Sequence, residues 1–320
     1  MLAAALAMVL AAVAVFAAVK LLDRKEPEQR GTQLSDVGAY KRVEYDGHRY
    51  VRKNDLNLVL LIGVDQAEGS VRKGYRSGGQ ADFLMLLAID NKDRTVRTLH
   101  IDRDTMTNIT VLGVLGQKVG TNFAQICLSH GFGLTEEENS GYTVEAVENL
   151  LEGEEIDFYV TVNADSVPML NDALGGVTVT LADDYSKYDP EMTLGKTMTL
   201  YGKQAEYFVR SRYSLADGSN AKRMERQRVY MDAVKAVLQK KVQADSSFID
   251  EFLNKVRELI HSDAALGRMV NVFSVLPAYE ILPVEYLPGE HVIGSDGFVE
   301  YHVTEEDAVK WVLDALYREE

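Results

Sequence analysis

The sequence predicts an α/β domain with helices on both faces of its sheet, and three observations carry that expectation. Residues 57–65 form an almost continuous apolar run, as a strand buried on both faces does. A second apolar run at 83–90 is joined to a third at 95–101 by the short turn 91–94, which makes those two strands antiparallel. Beyond residue 101, helical and strand-like periodicities alternate, the pattern of helices packed on a sheet.

In order along the chain, a short hairpin is expected around Asp46-Gly47, and then the three apolar strands. Helices are expected near 121–131, 142–152, 164–173, 202–209, 221–242, 246–263 and 304–318. Further strands are expected near 156–163, 176–181 and 291–294. At 320 residues, with 46% hydrophobic and 26% charged side chains, the composition is that of an ordinary folded protein. The formal charge of −15 argues against a nucleic-acid binder, which needs Lys and Arg clustered against phosphates. A single cysteine, Cys127, excludes an internal disulfide and a cysteine-based zinc cluster. Its apolar neighbours Ile126 and Leu128 make it a small buried hydrophobe.

Residues 1–19 carry no charged side chain. At ~1.5 Å rise per residue such a run spans ~28 Å, enough to cross a hydrocarbon core. A retained transmembrane anchor is expected over 1–22, with a cleaved signal peptide as the alternative. Lys20, Arg24, Lys25 and Arg30 follow it, interleaved with Asp23, Glu26 and Glu28, so charge alone leaves its orientation open. A polar juxtamembrane stalk is expected over 23–55 and the folded domain over 56–320.

Chemistry gathers at the strand ends. If the first two strands are also antiparallel, the end of the first, the start of the second and the end of the third share one edge. That edge carries Asp65, Asp82, Arg103 and Asp104, where α/β proteins commonly place ligands. Carboxylates without His or Cys partners suit a hard divalent cation such as Mg²⁺, which makes Asp65 and Asp82 the candidate metal ligands. Arg103 would face the phosphate that the metal holds.

A second group spans Arg210 to Arg228, with six basic residues and two acidic ones in an otherwise acidic chain. On the helix expected at 221–242, Arg223 and Gln227 extend an apolar stripe that continues through Tyr230 or Met231, Val234 and Leu238. An arginine on an inward stripe is costly unless an anion meets it. Guanidinium forks match phosphate oxygens, so Arg210, Arg212, Arg223 and Gln227 read as a pyrophosphate clamp, a cationic floor opposite the two aspartates. Surface-exposed basic side chains are the plain alternative. Phosphate-binding P-loop, zincin and nucleophile-elbow motifs do not occur. His130 reads as structural.

On these residues the chain resembles the LytR-CpsA-Psr family of bacterial envelope proteins, over roughly residues 55 to 320. The segments that carry the resemblance are Leu61-Ile62-Gly63-Val64-Asp65, Gln80-Ala81-Asp82, Ile101-Asp102-Arg103-Asp104-Thr105 and Asn171-Asp172-Ala173-Leu174-Gly175-Gly176-Val177. Gly202-Lys203-Gln204-Ala205, Arg210-Ser211-Arg212 and Arg223-Met224-Glu225-Arg226-Gln227 complete it. There are departures. Gln80 stands where arginine is common, Phe83 where threonine is common, and Asp102 where proline is usual. Arg72, Lys73 or Arg76 of the preceding loop could supply the missing cation.

The resemblance implies a three-layer α/β/α sandwich with a central mixed sheet and an apolar tunnel for a polyprenyl chain, behind one transmembrane helix that leaves the domain outside the cell. It implies Mg²⁺-assisted transfer of a phosphate-linked glycopolymer from a polyprenyl pyrophosphate carrier to peptidoglycan or another surface acceptor. By position, Asp65 and Asp82 match the metal-associated carboxylates, and Arg103, Arg210, Arg212, Arg223 and Gln227 the pyrophosphate-binding set. Arg103, Asp104, Arg210 and Arg212 are the catalytic candidates, Asp104 as a base or as an orienter of Arg103. In phosphoryl transfer most catalysis is positioning and charge stabilisation. The rival expectations are a non-catalytic lipid-pyrophosphate scaffold or regulator, and a pyrophosphatase that uses water.

Overall fold

The computed structural model describes residues 41–65, 79–211 and 220–320, apart from 246–247, 274 and 277–278. The expected anchor, residues 23–40 of the stalk, the loop cations Arg72, Lys73 and Arg76, and Arg212 lie outside the described residues.

Strands β1 (Arg42–Tyr45) and β2 (His48–Arg52) turn at Asp46-Gly47, whose φ values of 51° and 77° suit a two-residue hairpin. β3 (Leu56–Val64), β4 (Ala81–Asp90) and β5 (Thr95–Ile101) follow as successive antiparallel neighbours. A hairpin of β6 (Met106–Leu112) and β7 (Lys118–Gln125) leads to α1 (Glu136–Leu150). Next come β8 (Phe158–Asn163), α2 (Val167–Ala173) and the hairpin of β9 (Val177–Thr180) with β10 (Thr197–Leu200). α3 (Lys203–Arg210), α4 (Asn220–Ala244), α5 (Phe248–Val256), β11 (Ile260–His261), α6 (Leu266–Phe273) and β12 (Glu280–Glu285) precede a last hairpin. That hairpin is β13 (Gly289–Ile293) with β14 (Val299–Val303), and α7 (Glu305–Leu316) and β15 (Tyr317–Glu319) end the chain.

The central sheet has the order β11-β8-β3-β4-β5-β12. It is mixed, because β8 runs parallel to β3 and β12 parallel to β5 while the other neighbours are antiparallel. Alternation along the strands sorts two cores. Val59, Leu61, Phe83, Met85 and Leu87 face the side covered by α2 to α6. Leu58, Leu60, Ile62, Leu84 and Leu86 face the side covered by α1 and α7. A strand covered on both faces is apolar at nearly every position, which is why β3 and β4 stood out in the sequence.

Three expectations are corrected. The helix expected at 121–131 is strand β7 followed by a short 3₁₀ turn, Ile126–Gly131. Phe123, Ile126 and Cys127 are spaced as on a helix, but pairing of Lys118–Gln125 with the Thr-, Ile- and Val-rich β6 overrides that local pattern. The helix expected over 246–263 stops at Val256, and Ile260–His261 instead extends the sheet edge beside β8. The folded body also begins well before residue 56, because β2 pairs with the C-terminal β15. Buried Glu154 fastens that join, accepting hydrogen bonds from Lys41, from Arg52 Nε at 2.9 Å and from Tyr317 Oη at 2.6 Å. Among the described residues no helix is long and apolar enough to cross a membrane.

Candidate active site

The antiparallel order of β3, β4 and β5 brings Asp65, Asp82 and Arg103 to one end of the sheet. A β-bulge between the pairs Gly63↔Phe83 and Val64↔Ala81 leaves Asp82 as the extra residue, and such bulges re-aim side chains at sheet ends. Asp65 is tied across to β4 through its N–H, which donates to Gln80 O at 2.9 Å. The first turn of α4 and the last turn of α3 close the opposite side. The result is a cleft of about 840 Å³ lined by Asp65, Asp82, Arg103, Asp104, Arg210 and Arg223, together with Gln80, Glu206, Tyr188 and Tyr207.

Arg103 is held from every side. Its Nη1 donates to Asp82, its Nη2 to Gln80 Oε1 at 2.6 Å and to Cys127 Sγ at 3.1 Å, and its Nε lies 3.3 Å from Asp104 Oδ1. Burial works against this guanidinium's charge, but the carboxylates of Asp82 and Asp104 outweigh it and push its pKa up. Burial pushes the Cys127 thiol up to about 12, so it stays protonated and serves as a weak acceptor rather than a nucleophile. Gln80, at the position of the arginine expected from the family pattern, orients Arg103 through an acceptor that an arginine lacks.

Arg210 donates to Asp65 and, one helical turn back, to Glu206 Oε1 at 2.8 Å. Burial lowers the Arg210 pKa, and burial followed by the Asp165 charge raises that of Glu206. Arg223, Gln227, Tyr230, Met231, Val234 and Leu238 are all buried, so the stripe read from the sequence faces inward as expected. Arg223 reaches the cleft. Gln227 donates to Val209 O at 3.4 Å and so ties α4 to α3. Arg226 serves structure, with Nη1 3.3 Å from Asp183 Oδ2 and Nη2 donating to Ser211 O.

The clamp differs from the cationic floor expected. Arg103 and Arg210 are interleaved with the carboxylates, each paired to two. The described lining holds five carboxylates (Asp65, Asp82, Asp104, Glu206, Asp296) and three guanidiniums (Arg103, Arg210, Arg223), a formal difference of 3 − 5 = −2. A pyrophosphate would meet repulsion there without a cation, so the residues present fit Mg²⁺. Among the described residues no group of three or more His, Cys, Asp or Glu is placed to hold a metal ion.

Sequence reasoning missed part of the lining. Glu206 was accessible from its i,i+4 spacing to Arg210. Tyr188, Tyr207 and Phe298 come from distant segments with no shared pattern. Asp102, where proline is usual, caps the turn by accepting from Asp104 N at 2.9 Å, and its other oxygen lies 3.1 Å from His291 Nε2. His130 is fully buried beside Glu136, 3.3 Å away.

A family model described as the LytR_cpsA_psr family matches residues 15–314. The chain belongs to the LytR-CpsA-Psr family. It is 33% identical over 197 residues to the polyisoprenyl-teichoic acid–peptidoglycan teichoic acid transferase TagU of Bacillus subtilis. That match covers 61% of this chain and 56% of the relative, so the chain spans little more than half the relative's length. Two solved structures of similar fold are TagV of B. subtilis, with a TM-score of 0.61 at 21% identity over 81% of this chain and 94% of that one, and TagT bound to LI-WTA. The latter gives a TM-score of 0.59 at 20% identity, covering 82% and 91% of the two chains. These likenesses establish a LytR-CpsA-Psr mixed α/β fold.

Behind the cleft, His100 sits between the rings of Phe83 and Tyr286, with centroids 4.8 and 5.6 Å away. Burial pushes its imidazole down to about 3, and the Arg223 charge acts in the same direction. Between that value and the ordinary ~6.5 the unfolded chain binds a proton that the folded one refuses, so stability is lost as pH falls. His100 should therefore contribute a slope of up to ~1.4 kcal/mol per pH unit, or ~2 kcal/mol between pH 6.5 and 5. Denaturant unfolding at both pH values should show that slope shrinking in His100→Phe, and an identical slope in both proteins would refute the assignment.

Proposed function

We propose that the protein transfers a phosphate-linked glycopolymer from a polyprenyl pyrophosphate carrier to peptidoglycan or another surface acceptor. The carrying observation is the gathering of Asp65, Asp82, Arg103, Asp104, Arg210 and Arg223 in one cleft at the joint end of three buried strands. The teichoic acid transferase named among its relatives supports this reading.

Asp65 and Asp82 would hold Mg²⁺, which supplies charge neutralisation on the pyrophosphate when bound. Arg103, held through both terminal nitrogens, presents its fork to the phosphoryl oxygens and stabilises charge as it develops. Arg210 exchanges its Asp65 contact for the incoming phosphate and remains aligned by Glu206. Arg223 binds the phosphate from the α4 side, and Gln227 fixes the α4–α3 spacing that sets its reach. Arg212 follows α3 directly in sequence and would add a further cation. Asp104 orients Arg103. The acceptor hydroxyl attacks the sugar-side phosphorus and polyprenyl phosphate leaves.

The lipid needs a dry sleeve beside its phosphates. A cavity of about 270 Å³ beside residues 100–105 and the first turns of α4 is lined by Ile101, Met224, Tyr286, Leu287 and Tyr301 on one part and by Asp102, Glu225, Arg228 and His291 on another, and the proposed tunnel would begin on the apolar part. The apolar segment at 1–19 would anchor the protein as a single-pass membrane protein with this domain outside the cell.

Full-length protein in nanodiscs, given a sugar-bearing polyprenyl pyrophosphate and Mg²⁺ with and without peptidoglycan, tests the reaction. Acceptor-dependent release of polyprenyl phosphate is expected. Release without acceptor would mean a pyrophosphatase, and binding without release a scaffold. Asp65→Asn and Asp82→Asn should each remove Mg²⁺-dependent turnover while thermal unfolding shows an intact fold. Wild-type turnover in both would end the metal assignment.

A further inference from the structure

A third cavity, of about 560 Å³, adjoins the cleft and shares Tyr188 and Tyr207 with it. We propose that it is a saccharide subsite, in which a glycan chain runs from the cleft across Tyr188 and Tyr207 to Tyr201. The proposal rests on the glycopolymer-transfer reading and adds where the sugars lie.

The groove is built to present ring faces. Tyr188 and Tyr207 stack at 5.1 Å between centroids and 23° between planes. Tyr201 is 55% exposed. Its ring nonetheless has a fixed seat, because a Cβ at Gly176 would come within 2.7 Å of it. Gln204 joins the parts, accepting from Tyr201 N at 3.1 Å and donating to Asp189 Oδ2 at 2.7 Å. Asp189 Oδ1 in turn accepts from Glu191 N at 2.9 Å. Such internal bonding pre-organises a site, so little ordering is left for the ligand to impose.

The chemistry selects the ligand class. Two carboxylates, Asp189 and Glu191, balance two amines, Lys196 and Lys203, so the described lining has no net charge to recruit an anion. Lys196 Nζ is also directed to Glu191 O at 2.8 Å. A hydrocarbon chain would strand those polar groups away from water. Pyranose rings satisfy both demands, since their C–H faces pack on tyrosine rings while their hydroxyls meet Asp189, Gln204 and Lys203. The saccharide could belong to the donor polymer or to the acceptor glycan.

Calorimetry on full-length protein in nanodiscs separates these sources. The probes are a β-1,4-linked N-acetylglucosamine tetrasaccharide, a sugar-bearing polyprenyl pyrophosphate and the same lipid without sugar. Tyr188→Ala and Tyr201→Ala should each weaken saccharide binding about tenfold, while the Phe variants hold it within about twofold. Affinity for the sugar-free lipid should not change in Tyr201→Ala. Tetrasaccharide binding that survives saturation with the sugar-bearing donor assigns the groove to the acceptor, and loss of donor affinity in Tyr201→Ala assigns it to the donor sugars. Saccharide affinity unchanged in both alanine variants, or no saccharide binding at all, overturns the subsite. Failure of the sugar-free lipid to bind the unaltered protein would instead count against the cleft's own reading.

Discussion

In the proposed transfer, Arg103→Lys should lower the rate by about two to three orders of magnitude at saturating donor, the loss expected when one pre-organised donor to developing charge is removed. The guanidinium is a planar fork seated between Asp82, Gln80, Cys127 and Asp104. A lysine keeps the charge between the two carboxylates but presents a single ammonium that cannot fill that seat or address two phosphoryl oxygens at once. Stability should therefore change little, which makes this variant more informative than Arg103→Ala. Alanine would leave the buried Asp82 and Asp104 without their cation, and breaking a buried pair in that way costs about 3–5 kcal/mol. Single-turnover rates are the measurement, with thermal unfolding alongside. An Arg103→Lys rate within threefold of the unaltered protein would remove Arg103 from the chemistry.

What could be read in the sequence follows physical range. The convergence of Asp65, Asp82 and Arg103 was legible because β3 and β4 are apolar at nearly every position and the turn after Asp90 is too short for anything but an antiparallel return. The inward course of Arg223 was legible because a 3.6-residue period links it to Leu238. β7 was not, since its partner β6 is a tertiary neighbour and the spacing of Phe123, Ile126 and Cys127 agrees with a helix. The ionic arrangement was legible only as composition. A run of basic residues from Arg210 to Arg228 does not reveal that Arg210 meets Asp65 while Arg226 meets Asp183 and the Ser211 carbonyl. Side-chain pairing depends on distances between elements that no local pattern encodes. The tyrosine wall of the cleft is another such case, because Tyr188 and Tyr207 meet only once the loop between β9 and β10 packs beside α3.

Arg223→Met should weaken binding of the pyrophosphate, with folding read alongside it. Arg223 is 1% exposed near the start of α4, in line with Gln227 and Tyr230 on the face turned toward the sheet. Holding a guanidinium there costs desolvation, which a bound anion offsets. Methionine is flexible enough to fill the space, and its apolar neighbours on α4 continue the core. Unfolding free energy is measured alongside as the control for folding. Affinity for a polyprenyl pyrophosphate analogue should fall, because one charge-assisted contact to phosphate contributes about 1.5–3 kcal/mol, roughly a ten- to hundredfold change in Kd. Arg223→Lys should lose much of the same affinity, since a point charge lacks the bidentate fork. A methionine variant that unfolds more easily while binding the analogue as before would identify Arg223 as a structural residue and leave the anion to Arg103 and Arg210.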